Sequence, residues 1–243
     1  MLAIFKREIQ SFFTSSIGYL TIGLFLSLNG LFLWVFKGRF NIFEYGFADL
    51  GNFFLLAPWV FLFLIPAITM KSFSEEKKLG TLELLLIKPI GLRHLVLGKF
   101  LGAFALVLIA LLPTSLYAYT VSQLGTTVGN LDTGLVIGSY FGMVFLVACY
   151  VAIGLFASTL SENQIVAFIV AVLLCFFLFY GFEGISTLFP EGNTAIVVKD
   201  LGMQAHFDGI ARGVVDTRDL VYFVSVAAFF LFLTTLQLKY SNN

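Results

Sequence analysis

Residues 71–94 read KSFSEEKKLGTLELLLIKPIGLRH, the densest run of charge in the chain, which turns abruptly apolar after Gly80 and stands between two long greasy stretches. Outward from this segment the chain is 59% hydrophobic and 12% charged, against about a quarter charged in ordinary globular domains. No single soluble core could hide that much apolar surface. A lipid bilayer is the solvent that accommodates it.

A membrane-crossing helix needs roughly 20 predominantly apolar residues. Six stretches meet that length within tolerance, at 17–36, 53–70, 101–119, 135–156, 165–182 and 220–238, and none contains Asp, Glu, Lys or Arg. The first is longer than the apolar part of a secretory signal, which is roughly 7–15 residues, and no cleavage pattern follows it, so it reads as a helix that stays. The expectation is an all-α integral membrane protein with six transmembrane helices, a single domain over residues 1–243.

Lys and Arg set the orientation. With the N-terminus inside, the cytoplasmic segments hold Lys6, Arg7, Lys71, Lys77, Lys78, Lys88, Arg93, Lys99 and Lys239, against Lys37, Arg39, Lys199, Arg212 and Arg218 outside. Cytoplasmic loops carry the excess of cations, so both termini and the 71–99 region are expected in the cytoplasm. The zero net charge gives no reason to expect nucleic acid as a partner.

Residues 1–14 place Leu2, Phe5, Ile9, Phe12 and Phe13 on one helical face and Lys6, Arg7 and Gln10 away from it. That is the pattern of an interfacial elbow helix lying along the inner leaflet. Gly134, Gly138 and Gly142 recur every four residues in the fourth span, where small side chains let helices approach closely, within the chain or across a dimer. Cys149 and Cys175 fall mid-span without metal or redox spacing and read as small apolar filler. The outer segment 183–219 mixes apolar residues with Gly and Pro breaks, suited to a folded cap or to short helices dipping into the outer leaflet.

Locally, the opening segment divides in two. Ser72 and Glu75 have capping-box spacing, so a short helix is predicted to start there and carry Glu75, Glu76, Lys77 and Lys78 into water until Gly80 breaks it. Thr81 then caps a second helix with Glu83 in its first turn, and Pro89 ends it after Leu82, Leu85 and Leu86 have lined one face. A rod over 81–88 would be roughly 12 Å long. Its leucine face needs a cover, from the membrane surface, neighbouring helices or the groove of a cytoplasmic partner.

The stretch SFSEEKKLGTLELLLIKPI resembles the signature of ABC-2 type ABC transporter permeases, in which a Glu-rich piece, Gly-Thr-Leu-Glu-Leu-Leu and a following Pro join the second and third of six spans. Span count, amphipathic start and the long outer segment agree with that family over essentially the whole chain. Within it, the signature and HFDGIARGVVDTRDLVYF, residues 206–223, are most similar to the gliding-motility-associated permease subunit.

The resemblance implies a non-catalytic permease subunit of an exporter in the bacterial inner membrane, working with a separate ABC ATP-binding subunit. It also implies a second copy of the chain or another permease, and a large outer-facing membrane subunit in the gliding branch. Glu75, Glu76, Gly80, Thr81, Glu83, Leu85 and Pro89 match the family motif and would form the segment docked on the ATPase. The chain itself has no phosphate-cradling loop: its one Gly-Lys, Gly98-Lys99, is followed by Phe100 and lacks the earlier glycine, and no cofactor pattern is present.

Two other classes fit less well. A secondary transporter normally keeps ionisable residues inside its spans, and these spans hold none. A membrane-embedded enzyme would draw on Glu183, Glu191, Asp200, His206 and Asp208 in the outer segment, which lack metal-ligand spacing. The apolar path leaves a lipid-linked glycan, a peptide and a drug equally open as cargo.

Overall fold

The computed structural model describes residues 1–83, 91–125, 129, 131–190, 192–213 and 216–240. The N-terminal helix Leu2–Thr14 turns at Ser15 into the first span, Ser16–Val35. Then come the second span Gly51–Lys78, the third Leu92–Leu124, the fourth Thr133–Leu160, the fifth Gln164–Ser186 and the sixth Thr217–Tyr240. Two short helices of the segment expected outside, Asn193–Lys199 and Met203–Ala211, precede the sixth and are called the outer helices after that expectation. Among the described residues there is no strand, so the molecule is an all-helical, multi-pass membrane protein.

Polar side chains start the helices where the sequence leaves the bilayer. Asp132 Oδ1 accepts from Leu135 N at the fourth span, and Asn163 Oδ1 accepts from Ile165 N at the fifth. Each satisfies an amide that the helix cannot. The fourth span is the hub, with Met143, Leu146, Val147, Tyr150 and Ile153 all fully buried. The first, fifth and sixth spans lie outside it and show long apolar faces to lipid. In the core, Phe25 of the first span stacks on Phe61 of the second at 4.4 Å. Cys149 and Cys175 are buried filler, Cys149 Sγ donating to the carbonyl of Phe223 at 3.2 Å.

Two helix ends differ from the sequence reading. No capped helix starts at Ser72: Met70 stays helical at φ −54°, ψ −31°, its amide bonds to the Pro66 carbonyl, and the second span runs on into Lys71–Lys78. Ser72 is itself buried, and no side chain caps this helix. The reason is tertiary, because Phe73 and Ser74 on the same turn are buried with it. The third span likewise starts at Leu92 rather than 101, because Lys99 is accommodated within the helix instead of ending it.

The glycine row of the fourth span receives the outer helix Met203–Ala211. A Cβ on Gly138 would lie 2.9 Å from the Ile210 carbonyl oxygen, and one on Gly142 would lie 3.1 Å from Ile210 Cγ2. Gly134, at the helix start, faces Asp132 Oδ1 and the backbone of Gly213. Close approach here is therefore made within the chain. Ser139 Oγ adds a hydrogen bond to the Ala211 carbonyl, so this outer helix lies alongside the first turns of the span.

Candidate functional site

The N-terminal helix, the end of the second span and the start of the third meet at one lysine. The third span carries Gly98, Lys99 and Gly102 in its second and third turns, and the N-terminal helix crosses directly over the two glycines. A Cβ on Gly98 would fall 2.8 Å from Ile4 Cβ, and one on Gly102 would fall 2.6 Å from Glu8 Cβ. Only bare backbone admits the helix that closely, the small-residue logic of membrane helix packing. Its approach brings Glu8 against Lys99.

Lys99 is 3% exposed. Its Nζ donates to Glu76 Oε1 at 2.8 Å, to Glu8 Oε1 at 3.1 Å and to the Ser72 carbonyl at 2.8 Å. An ammonium has three protons, and all three are used. The Phe73 ring, its centroid 5.1 Å from Nζ, adds a cation–π contact. A buried cation is tolerated only when it is paired in this way. The N-terminal helix, the second-span extension and the third span are thus fastened together at one atom. Beside this atom lies a cavity of about 630 Å³, with Arg7, Lys71 and Glu75 on its wall.

A second fastening lies on the other side of the extension. Ser74 Oγ donates to the Ser158 carbonyl at 2.9 Å and Lys77 Nζ to the Thr159 carbonyl at 2.6 Å, so two carbonyls left free at the end of the fourth span are satisfied by the second. One turn deeper, the Thr69 side chain occupies the space that a Cβ on Gly154 would need. The extension is braced on both flanks.

Against this frame the signature residues divide. Glu75 and Glu83 are exposed. Glu76, expected in water beside Glu75, is turned inward onto Lys99, because a buried ammonium outcompetes solvent for it. Gly80 has φ +65°, a left-handed conformation that ends the extension at little cost only for glycine. Thr81 is half-buried, residues 81–83 are helical, and the Thr81 Oγ1 donates back to the Glu76 carbonyl at 3.3 Å. Leu82 is buried. Leu85 and Pro89 lie outside the described residues.

Lys99, Glu8, Ser74 and Lys77 are the site residues that sequence reasoning missed. A lysine set among glycines at the mouth of an apolar helix was the available signal for the first. The other three have none, since their partners are 82 to 91 residues away in the chain.

In the outer segment the acidic residues engage their neighbours. Glu183 Oε1 pairs with Lys199 Nζ at 3.0 Å, and His206 Nδ1 lies 2.6 Å from Asp219 Oδ1. Burial pushes the Asp208 carboxyl above its usual range; Glu183 adds to the effect, and Lys199 and Arg212 oppose it. Asp200 contributes its carbonyl to His206, and Glu191 lies outside the described residues. Among the described residues no group of three His, Cys, Asp or Glu could hold a metal ion. The outer acids form a structural network.

Residues 2–200 match the family model described as ABC-2 family transporter protein. The chain belongs to that family. A search of curated proteins found no match. As an ABC-2 family protein, the chain is a membrane component of a transporter. The Lys99 cluster lies inside the matched residues.

Proposed function

We propose that this ABC-2 family protein is the permease subunit of an ATP-driven exporter of the bacterial inner membrane, with both termini cytoplasmic, 1–243 as one permease domain, and ATP hydrolysed on a separate subunit. The observation that carries the reading is the bracing of the second-span extension by Lys99 on one side and by the end of the fourth span on the other. A partner closing around nucleotide would meet Glu75 and Glu83, the exposed charges of the signature, and push on Gly80 and the segment behind it. Because the extension is continuous with the second span and tied to the first, third and fourth, that push is delivered to four spans together. Such a shift between two discrete packings is how helix bundles alternate access.

The stretch 206–223 supports the gliding-motility-associated branch as the specific role. An exporter of polysaccharide, peptide or drug uses the same joint and differs only in cargo. The test is to express the chain with a candidate ABC ATP-binding subunit from the same source, purify by a tag on the chain and assay the complex in nanodiscs. Co-purification with hydrolysis that depends on the permease supports the reading. A chain that binds no ATPase, or that hydrolyses ATP alone, overturns it.

A further inference from the structure

His206 makes hydrogen bonds through both ring nitrogens. Nε2 lies 2.8 Å from the Asp200 carbonyl oxygen, which can only accept, so Nε2 carries a proton. Nδ1 lies 2.6 Å from Asp219 Oδ1. An ionised carboxylate can also only accept, so a second proton has to lie between Nδ1 and Oδ1, on the ring or on the carboxyl. A neutral imidazole facing a carboxylate is one proton short. Both placements of that proton give the same count.

The contact joins two elements. His206 is on the outer helix Met203–Ala211, while Asp219 is in the first turn of the sixth span. Tyr222, one turn further along, stacks on the imidazole with centroids 3.9 Å apart and sends its hydroxyl to the Leu201 carbonyl at 2.6 Å. The other groups around the ring are few. From the sixth span, Arg218 shares with His206 the wall of an open hollow of about 450 Å³. On its own helix, Asp208 belongs to the separate group with Glu183, Lys199 and Arg212. The fourth span, packed on Phe207 and Ile210, contains no Asp, Glu, Lys, Arg or His. Side-chain exposures of 17% for His206 and 15% for Asp219 leave the pair a route to outer water.

We propose that a single bound proton clasps the outer helix Met203–Ala211 to the sixth span through His206 and Asp219, so that the outer face of the transporter tightens in acid and loosens in alkali. The sign follows from the count. Where the open pair is a neutral ring beside a carboxylate, the closed clasp holds one proton more, so in that range rising pH removes the Nδ1–Oδ1 bond; where the open ring is itself protonated the counts are equal and closure no longer depends on pH. One linked proton changes the closed-to-open ratio by at most about tenfold per pH unit. Since helix Met203–Ala211 remains seated on Gly138 and Gly142, the clasp opens on its sixth-span side.

The test uses the full chain in nanodiscs with spin labels at positions 197 and 224, both exposed, and reads their distance distribution by pulsed electron resonance between pH 5.5 and 8.5. The parent should show one short distance in acid and a growing longer population in alkali. H206F keeps an aromatic ring beside Tyr222 but has no nitrogen to donate to Asp200 or Asp219, and should show the longer population at every pH. D219N is the decisive variant: its amide donates to Nδ1 of a neutral ring, so it should stay short at every pH, and D208N should keep the parent response. A parent indifferent to pH, or a D219N that opens as H206F does, overturns the clasp.

Discussion

Lys99 Nζ lies 2.8 Å from Glu76 Oε1, an ion pair that joins the start of the third span to the Lys78 end of the second. Glu8 completes it from the N-terminal helix. Two carboxylates face one buried ammonium here, and variants at these positions separate bracing from mere burial.

Lys99→Met should destabilise the folded chain by about 3–5 kcal/mol, because it strands two partly buried carboxylates. The triple variant K99M/E8Q/E76Q removes all the charge together and should cost much less. Denaturant unfolding of the purified chain in detergent measures both; equal losses would show that charge pairing is not the cause.

Gly102→Leu should lift the N-terminal helix from the third span, since even a Cβ would fall 2.6 Å from Glu8 Cβ. Overpacking of this kind costs about 1–3 kcal/mol. The distance between spin labels at the exposed positions 6 and 93, read by pulsed electron resonance, should lengthen in the variant; an unchanged distance would contradict the lift.

The outer segment should weaken as pH rises through the acid range. The Asp208 carboxyl sits above its ordinary value near 3.8 in the folded chain. The neutral form is therefore favoured by folding, and the associated stability is present below pH 3.8 and lost as pH climbs through the raised value. D208N should flatten this dependence. Thermal unfolding from pH 4 upward, parent minus variant, reads the difference; parallel curves would contradict it.

Topology is checked by labelling from outside. A cysteine at position 193 should react with an impermeant reagent and one at the exposed position 75 should be spared. The reverse pattern overturns the cytoplasmic placement of the signature.

The spans were legible because about 20 apolar residues in a row have one physical outcome in a bilayer. Gly80 was legible because a glycine after a charged helical run favours a left-handed stop, and the structure gives it φ +65°. Helix ends were less so. The sequence shows that Ser72 and Glu75 have capping spacing, yet not that burial of Phe73 beside them would draw the second span onward past Met70. Lys99 was hidden by the rule that found the spans: a charge next to an apolar run reads as the run's boundary, and only the crossing of the N-terminal helix over Gly98 and Gly102 makes burial affordable. His206 stood in the outer segment as one of several acid–base candidates. Its partner Asp219 is 13 residues on and belongs to the sixth span, a pairing that periodicity does not encode.

The most direct test of the coupling account is ATP hydrolysis by the partner ATPase reconstituted in nanodiscs with the parent chain and with G80P/E83K. Proline cannot adopt the left-handed backbone at Gly80, its φ being fixed near −65°, and lysine reverses an exposed signature charge. Both positions lie outside the spans, so the variant should insert and accumulate as the parent does. The account predicts that hydrolysis with the variant falls to the level of the ATPase alone. Parent-level hydrolysis and complex assembly with the variant would contradict it and leave residues 71–83 without a coupling role.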